Sequence, residues 1–201
     1  MKKRVLVILI LLIAFNINAQ QDPQYTQYMY NMNVINPAYA GSGDGASFGI
    51  LYRDQWEGLE GAPKTATMNV HFPAGRNVGL GFSAISDEIG PVSETNLYVD
   101  FSYTLNFSND NRLAFGVKAG GTFHDVGLID LSLIDPNDPF FANDINENTP
   151  NVGAGIYFYK PNSYYISVSV PNILESVHLD NNDFNIGSET RHIFAAAGYI
   201  F

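Results

Sequence analysis

The chain has 201 residues, 20 acidic against 10 basic side chains for a formal charge of −10, and no cysteine. Without thiols there is no disulfide framework, thiolate nucleophile, lipoprotein anchor or cysteine-based metal site. So acidic a chain also argues against nucleic acid as a partner, because phosphate binding rests on clustered Lys and Arg.

The chain opens with Lys2-Lys3-Arg4, an apolar run from Val5 to Phe15 and a small exit residue, Ala19. A basic head, an apolar middle and a small exit residue make residues 1–19 a secretory signal peptide. The run is too short for a spanning helix, which needs about 20 apolar residues. Cleavage after Ala19 removes three bases and no acid, leaving a mature charge of −13.

Residues 20–45 form a lead-in segment. Tyr25, Tyr28, Met29 and Met32 fit one face of a short helix, while Tyr28, Tyr30, Met32 and Val34 alternate as a strand does, so periodicity leaves both open. Asn36-Pro37 and Gly41-Ser42-Gly43 mark a turn or loop before the first clear strand. The segment is expected to be either an amphipathic lead-in or a plug that seals a lumen.

From residue 46 to 201 the pattern predicts a β-barrel domain with eight strands, at 46–56, 64–72, 77–86, 94–108, 111–125, 151–160, 163–170 and 190–201. The fourth carries the argument: Leu97, Val99, Phe101, Tyr103, Leu105 and Phe107 fall on one face, and Asn96, Tyr98, Asp100, Ser102, Thr104 and Asn106 on the other. Unbroken alternation over this length fits a tilted membrane-crossing strand of roughly 9–11 residues. The fold class is therefore all-β, an antiparallel transmembrane barrel.

Facing follows from Lys118. A mid-strand lysine costs about 2–4 kcal/mol toward lipid and little toward a wet lumen. Its face, with Ala114, Gly116 and Gly120, points inward, as do Gly79, Gly81 and Ser83 and Gly153, Gly155, Tyr157 and Tyr159. By the same logic a lysine replacing Val99 should harm assembly far more than one replacing Asp100. Tyr52, Trp56, Tyr103, Tyr157 and Tyr159 lie near strand ends, where either an aromatic girdle or ordinary sheet packing accounts for them.

The links alternate: 57–63, 87–93, 126–150 and 171–189 are long, while 73–76, 109–110 and 161–162 are short. Such asymmetry is typical of outer-membrane barrels, with tight turns on one rim and longer loops on the other. Asp130, Asp135, Asp138, Asp144, Glu147, Glu175, Asp180, Asp183 and Glu189 make the long loops acidic, either as a working surface or as solvated loops. Asp135-Pro136-Asn137-Asp138 and Asp180-Asn181-Asn182-Asp183 carry oxygen ligands without EF-hand spacing, and turns use the same residues. His71, His124, His178 and His192 lie on separate segments and spell neither a zinc motif nor a nucleophile elbow. No enzyme activity, cofactor or metal is expected.

Three runs carry a resemblance: Asp22-Pro23-Gln24-Tyr25-Thr26-Gln27-Tyr28-Met29; Asn36-Pro37-Ala38-Tyr39-Ala40-Gly41-Ser42; and Tyr52-Arg53-Asp54-Gln55-Trp56-Glu57-Gly58-Leu59-Glu60-Gly61-Ala62-Pro63-Lys64-Thr65. With Asp87-Glu88-Ile89-Gly90-Pro91, Val170-Pro171-Asn172-Ile173 and Arg191-His192 in order behind them, the chain resembles the PorP/SprF family of type IX secretion proteins. Asn36, Pro37, Tyr39, Gly41, Tyr52, Arg53, Gln55, Trp56, Gly58, Gly61, Ala62 and Pro63 form its signature, with no role attached.

The resemblance implies an outer-membrane barrel in contact with lipid and serving type IX secretion and gliding motility. It would anchor or escort a secreted surface adhesin, or act as a membrane partner of the secretion motor. The alternative is a passive, porin-like channel. Family members continue past the region matching Gly198-Tyr199-Ile200-Phe201, so the expected architecture is a larger barrel cut short at the C-terminus. A complete eight-strand barrel ending on the aromatic Phe201 is the other possibility.

Overall fold

The structure, a computed structural model, describes residues 31–127, 144–174, 177–181, 184–188 and 191–200, with 177–181 and 184–188 described by their backbone. The expected signal peptide at 1–19, residues 20–30 of the lead-in, the acidic stretch 128–143 and Phe201 lie outside the described residues.

A one-turn helix α1 (Met32–Ile35) and a 3-10 turn at Pro37–Tyr39 precede the strands β1 (Ser47–Asp54), β2 (Lys64–Pro73), β3 (Val78–Ile89), β4 (Val92–Asn106), β5 (Arg112–Val126), β6 (Ile145–Lys160), β7 (Tyr164–Val170), β8 (Val177–Asn181), β9 (Phe184–Ser188) and β10 (Phe194–Tyr199). Strands β1 to β7 and β10 form one sheet in that order, each antiparallel to its neighbour. Strands β8 and β9 make a separate hairpin inside the link from β7 to β10. The eight-stranded sheet is a curled half-barrel with β1 and β10 as its edges.

The faces follow the alternation. On β4 and β5, Leu97, Val99, Phe101, Phe115 and Val117 are exposed outward, while Asn96, Tyr98, Asp100, Ser102, Ala114 and Lys118 are buried inward. Cross-strand register keeps this across the sheet: Phe82 stands beside Val99, Val99 beside Ala119, and Ala119 beside Val152. The outward apolar row on β4 runs from Leu97 to Leu105, with Phe107 just beyond the strand, a length that matches the hydrocarbon thickness.

Two boundaries differ from the sequence reading for one reason. Strand β3 continues to Ile89 and β4 starts at Val92, so the expected long link at 87–93 is a two-residue turn, Gly90-Pro91, with Gly90 at φ 57°. Strand β6 likewise starts at Ile145, six residues before the expected 151. In both places the outward positions turn polar, at Ser86, Glu88, Thr95, Asn146 and Asn148, while the ladder pairs Ser86 with Thr95 and Glu88 with Ser93 unbroken. Beyond the apolar band both faces of a strand can meet water, so the hydrophobic alternation ends before the hydrogen bonding does. The long-and-short alternation of links is thus broken at β3–β4, and the last sheet strand begins at Phe194 rather than 190.

Candidate functional site: the filled inner wall

The inner face is covered by residues 31–42. Two local devices shape this segment. The Val34 amide donates to the Asn31 carbonyl at 3.0 Å and the Asn36 amide to the Met32 carbonyl at 2.9 Å, closing α1. Pro37 then opens the 3-10 turn with its φ already set, and the Asn36 side-chain oxygen accepts from the Ala38 amide at 2.9 Å as its cap. Gly41 follows at φ 68°, a left-handed conformation that favours glycine. Of residues 20–45, the described stretch 31–42 lies against the inward face of the sheet and is termed the plug below.

The wall is cut to receive it. A Cβ at Gly79 would lie 2.0 Å from the Ala40 carbonyl oxygen, one at Gly116 2.1 Å from the Ala38 nitrogen, and one at Gly155 2.1 Å from the Asn36 side-chain oxygen. The inward glycines of β3, β5 and β6 are therefore the floor on which the plug backbone rests. Met32, Ile35 and Ala38 pack against Ala114, Tyr157 and Tyr159, with Tyr39 at the edge. The Tyr39 ring meets His71 edge-on at 5.2 Å and Tyr157 at 5.3 Å. Tyr157 and Tyr159 belong to this core and not to an aromatic girdle, while Tyr52, Trp56 and Tyr103 are exposed.

Polar contacts fix the register. Asn33 donates to the Asp100 carboxylate at 3.0 Å, and Asn36 donates to the Ser167 hydroxyl at 2.7 Å and the Ile156 carbonyl at 3.1 Å. Asn69 donates to the Asn31 side-chain oxygen. The Lys118 ammonium lies 3.7 Å from Asp100 and donates to the carbonyls of Val34 and, at 3.4 Å, of Asn33. Its side chain is 1% exposed, so the expectation of a wet lumen fails at this level: the lysine points inward but is solvated by a carboxylate and two peptide carbonyls instead of water. Asp100 and Lys118 are cross-strand partners, so a lysine replacing Asp100 would face Lys118.

The sequence model described as type IX secretion system membrane protein PorP/SprF matches residues 17–201. The chain belongs to the PorP/SprF family. Neither a curated protein nor a solved structure matches it. The family is one of type IX secretion system membrane proteins. Among the described residues, no group of three His, Asp or Glu side chains is placed to hold a metal ion.

The PorP/SprF signature residues fall into two places. Asn36, Pro37, Tyr39 and Gly41 are in the plug, where Asn36 and Gly41 bond the wall, the latter through its amide to His71 Nδ1 at 3.3 Å. Tyr52 and Arg53 end β1, and Gln55, Trp56, Gly58, Gly61, Ala62 and Pro63 form the link to β2. That link closes on itself through the Gln55 amide to the Pro63 carbonyl at 3.0 Å, and it docks on the β3–β4 turn through the Gly90 amide to the Gly61 carbonyl at 3.0 Å. Two resemblance motifs far apart in sequence thus meet on one rim. Trp56 (φ 54°), Gly58 (φ 89°) and Gly61 (φ 74°) take left-handed conformations in this loop, and Trp56 is 69% exposed.

Sequence reading singled out Lys118 and Asp100 without pairing them. The link is 107–111 and not the expected 109–110, which moves the register of β4 on β5 by one residue and places Asp100 opposite Lys118. Ser102, Ser167 and Ser169 were hidden among ordinary polar strand positions.

Proposed function

We propose that this PorP/SprF protein is an exported outer-membrane barrel that anchors or escorts a secreted surface adhesin in type IX secretion and gliding motility. The observation that carries this reading is the filled inner wall. A porin conducts through a polar, hydrated interior, whereas here residues 31–42 rest on the glycine floor and bury the one mid-strand lysine. A covered inner wall leaves the rims as working surfaces. The long-link rim carries the hydrogen-bonded 55–63 loop with Trp56 exposed, the kind of aromatic anchor that protein interfaces favour. Transient membrane support for the secretion motor fits the same surfaces less directly.

The test is deletion of the gene followed by surface biotinylation. Loss of one large secreted protein from the cell surface, restored by the wild-type gene, is the expected result. An unchanged surface protein set overturns the anchor reading. In planar bilayers the purified protein is expected to give no steady conductance, and a stable ohmic channel would favour the porin alternative.

A further inference from the structure

The wall reads the plug chiefly through its main chain. Five plug carbonyls accept hydrogen bonds from wall side chains: Asn33 and Val34 from Lys118, Ile35 from Ser169 at 2.7 Å, Ala40 from Ser102 at 2.6 Å, and Ser42 from Tyr159 at 3.4 Å. The Gly41 amide donates to His71. Side-chain recognition concentrates on three asparagines, Asn31 accepting from Asn69, Asn33 donating to Asp100, and Asn36 donating to Ser167 and the Ile156 carbonyl. Pro37 follows Asn36 directly, and the Pro37–Ala38 peptide meets the bare backbone of Gly116.

Main-chain readout with a few side-chain positions is how grooves bind peptides. A strand built into a barrel is held differently, by its hydrogen-bonded ladder, whereas here Met32, Ile35 and Ala38 add apolar contact to the main-chain readout as side chains of a bound peptide do. Residues 31–42 pair with no strand of the sheet, and their link to β1 at Gly43-Asp44-Gly45 is exposed. We infer that the inner wall is a peptide-binding site for a segment of the form Asn-Xaa-Xaa-Asn-Pro, and that residues 31–42 occupy it as a tethered ligand. The partner it fits is a second polypeptide presenting that pattern in an accessible segment. Such a partner must compete with a tethered occupant whose effective concentration is on the order of millimolar, so the site opens to it only when the tethered segment is drawn out. This deepens the closed-interior reading above and shares its plug, but not its adhesin.

The experiment cuts the tether without unfolding the chain. A protease site is placed at Gly43-Asp44-Gly45 of the full-length protein, the folded protein is cleaved in detergent, and a fluorescent synthetic peptide of residues 31–42 is added. The expected result is exchange: the labelled peptide enters the cleaved protein and does not enter the uncleaved one. Cleaved protein carrying Lys118→Met should bind at least about tenfold more weakly, the scale of a lost buried hydrogen bond to a charged group, and peptide carrying Asn36→Ala or cleaved protein carrying Ser169→Ala about fivefold more weakly, the scale of a neutral one. A plug that departs on cleavage and whose peptide does not rebind, while the sheet's circular dichroism is unchanged, overturns the proposal. So does a plug that stays but never exchanges against excess peptide, or a sheet that collapses when the tether is cut, since either makes the segment part of the core. These readouts use purified protein and are separate from the surface-retention test, so the peptide site and the adhesin role can fail independently.

Discussion

Lys118 shows how one residue's setting decides its worth. Its charge is balanced by Asp100 at 3.7 Å and by plug carbonyls, with both side chains almost fully buried. Removing one member of a buried pair leaves the other uncompensated, at about 3–5 kcal/mol, whereas replacing both with apolar groups of similar size can be neutral. Lys118→Met is therefore expected to lower stability in detergent by about 3 kcal/mol, and the double variant Lys118→Met/Asp100→Leu to recover most of the loss. Urea unfolding followed by tyrosine fluorescence would check this; a double variant no better than the sum of its singles would show that the pair is not a unit. The signature residue Asn36 was legible as a turn former, but its two wall partners, 120 and 131 residues away, were not. Nothing local in sequence marks a contact over that separation.

Strands carry the membrane assignment. On β5, Val117 lies within the outward apolar row, whereas Asp125, also outward, lies past it and pairs with Ser93 and Asn146. Val117→Lys should cost about 2–4 kcal/mol in a lipid bilayer, and Asp125→Lys well under 1 kcal/mol. Equal losses in a bilayer folding titration would mean the apolar band has been placed wrongly. A related contrast concerns the 55–63 loop. Gly61 sits at φ 74° with a would-be Cβ 3.3 Å from the Gly90 Cα, so Gly61→Val should detach the loop from the β3–β4 turn at a cost of about 1–3 kcal/mol. Faster proteolysis at 55–63, with the sheet intact, is the expected outcome; unchanged proteolysis would show that the docking is inconsequential.

At the scale of the molecule the half-barrel and its plug behave as lock and filling. The glycine floor implies that bulk at Gly116 expels the plug, because a Cβ there would fall 2.1 Å from the Ala38 nitrogen. Gly116→Val should turn a silent protein into a conducting one in planar bilayers, while Ala119→Val, on the outward face of the same strand, should leave it silent. A silent Gly116→Val protein that still shows heat-modifiable migration on gels would count against the plug as the seal. By itself the sequence determined the strands, their two faces and the family, since period-two alternation and turn chemistry are local properties that survive without knowing what lies opposite. It could not determine where strands outrun the bilayer, because polar residues on both faces look like a loop, nor choose between lead-in and plug. Tertiary structure decided the first, because inter-strand hydrogen bonds continue regardless of side-chain polarity, and it alone places residues 31–42, where bare glycine backbone, a buried Asp–Lys pair and wall serines on β4 and β7 converge on a segment whose own periodicity is ambiguous.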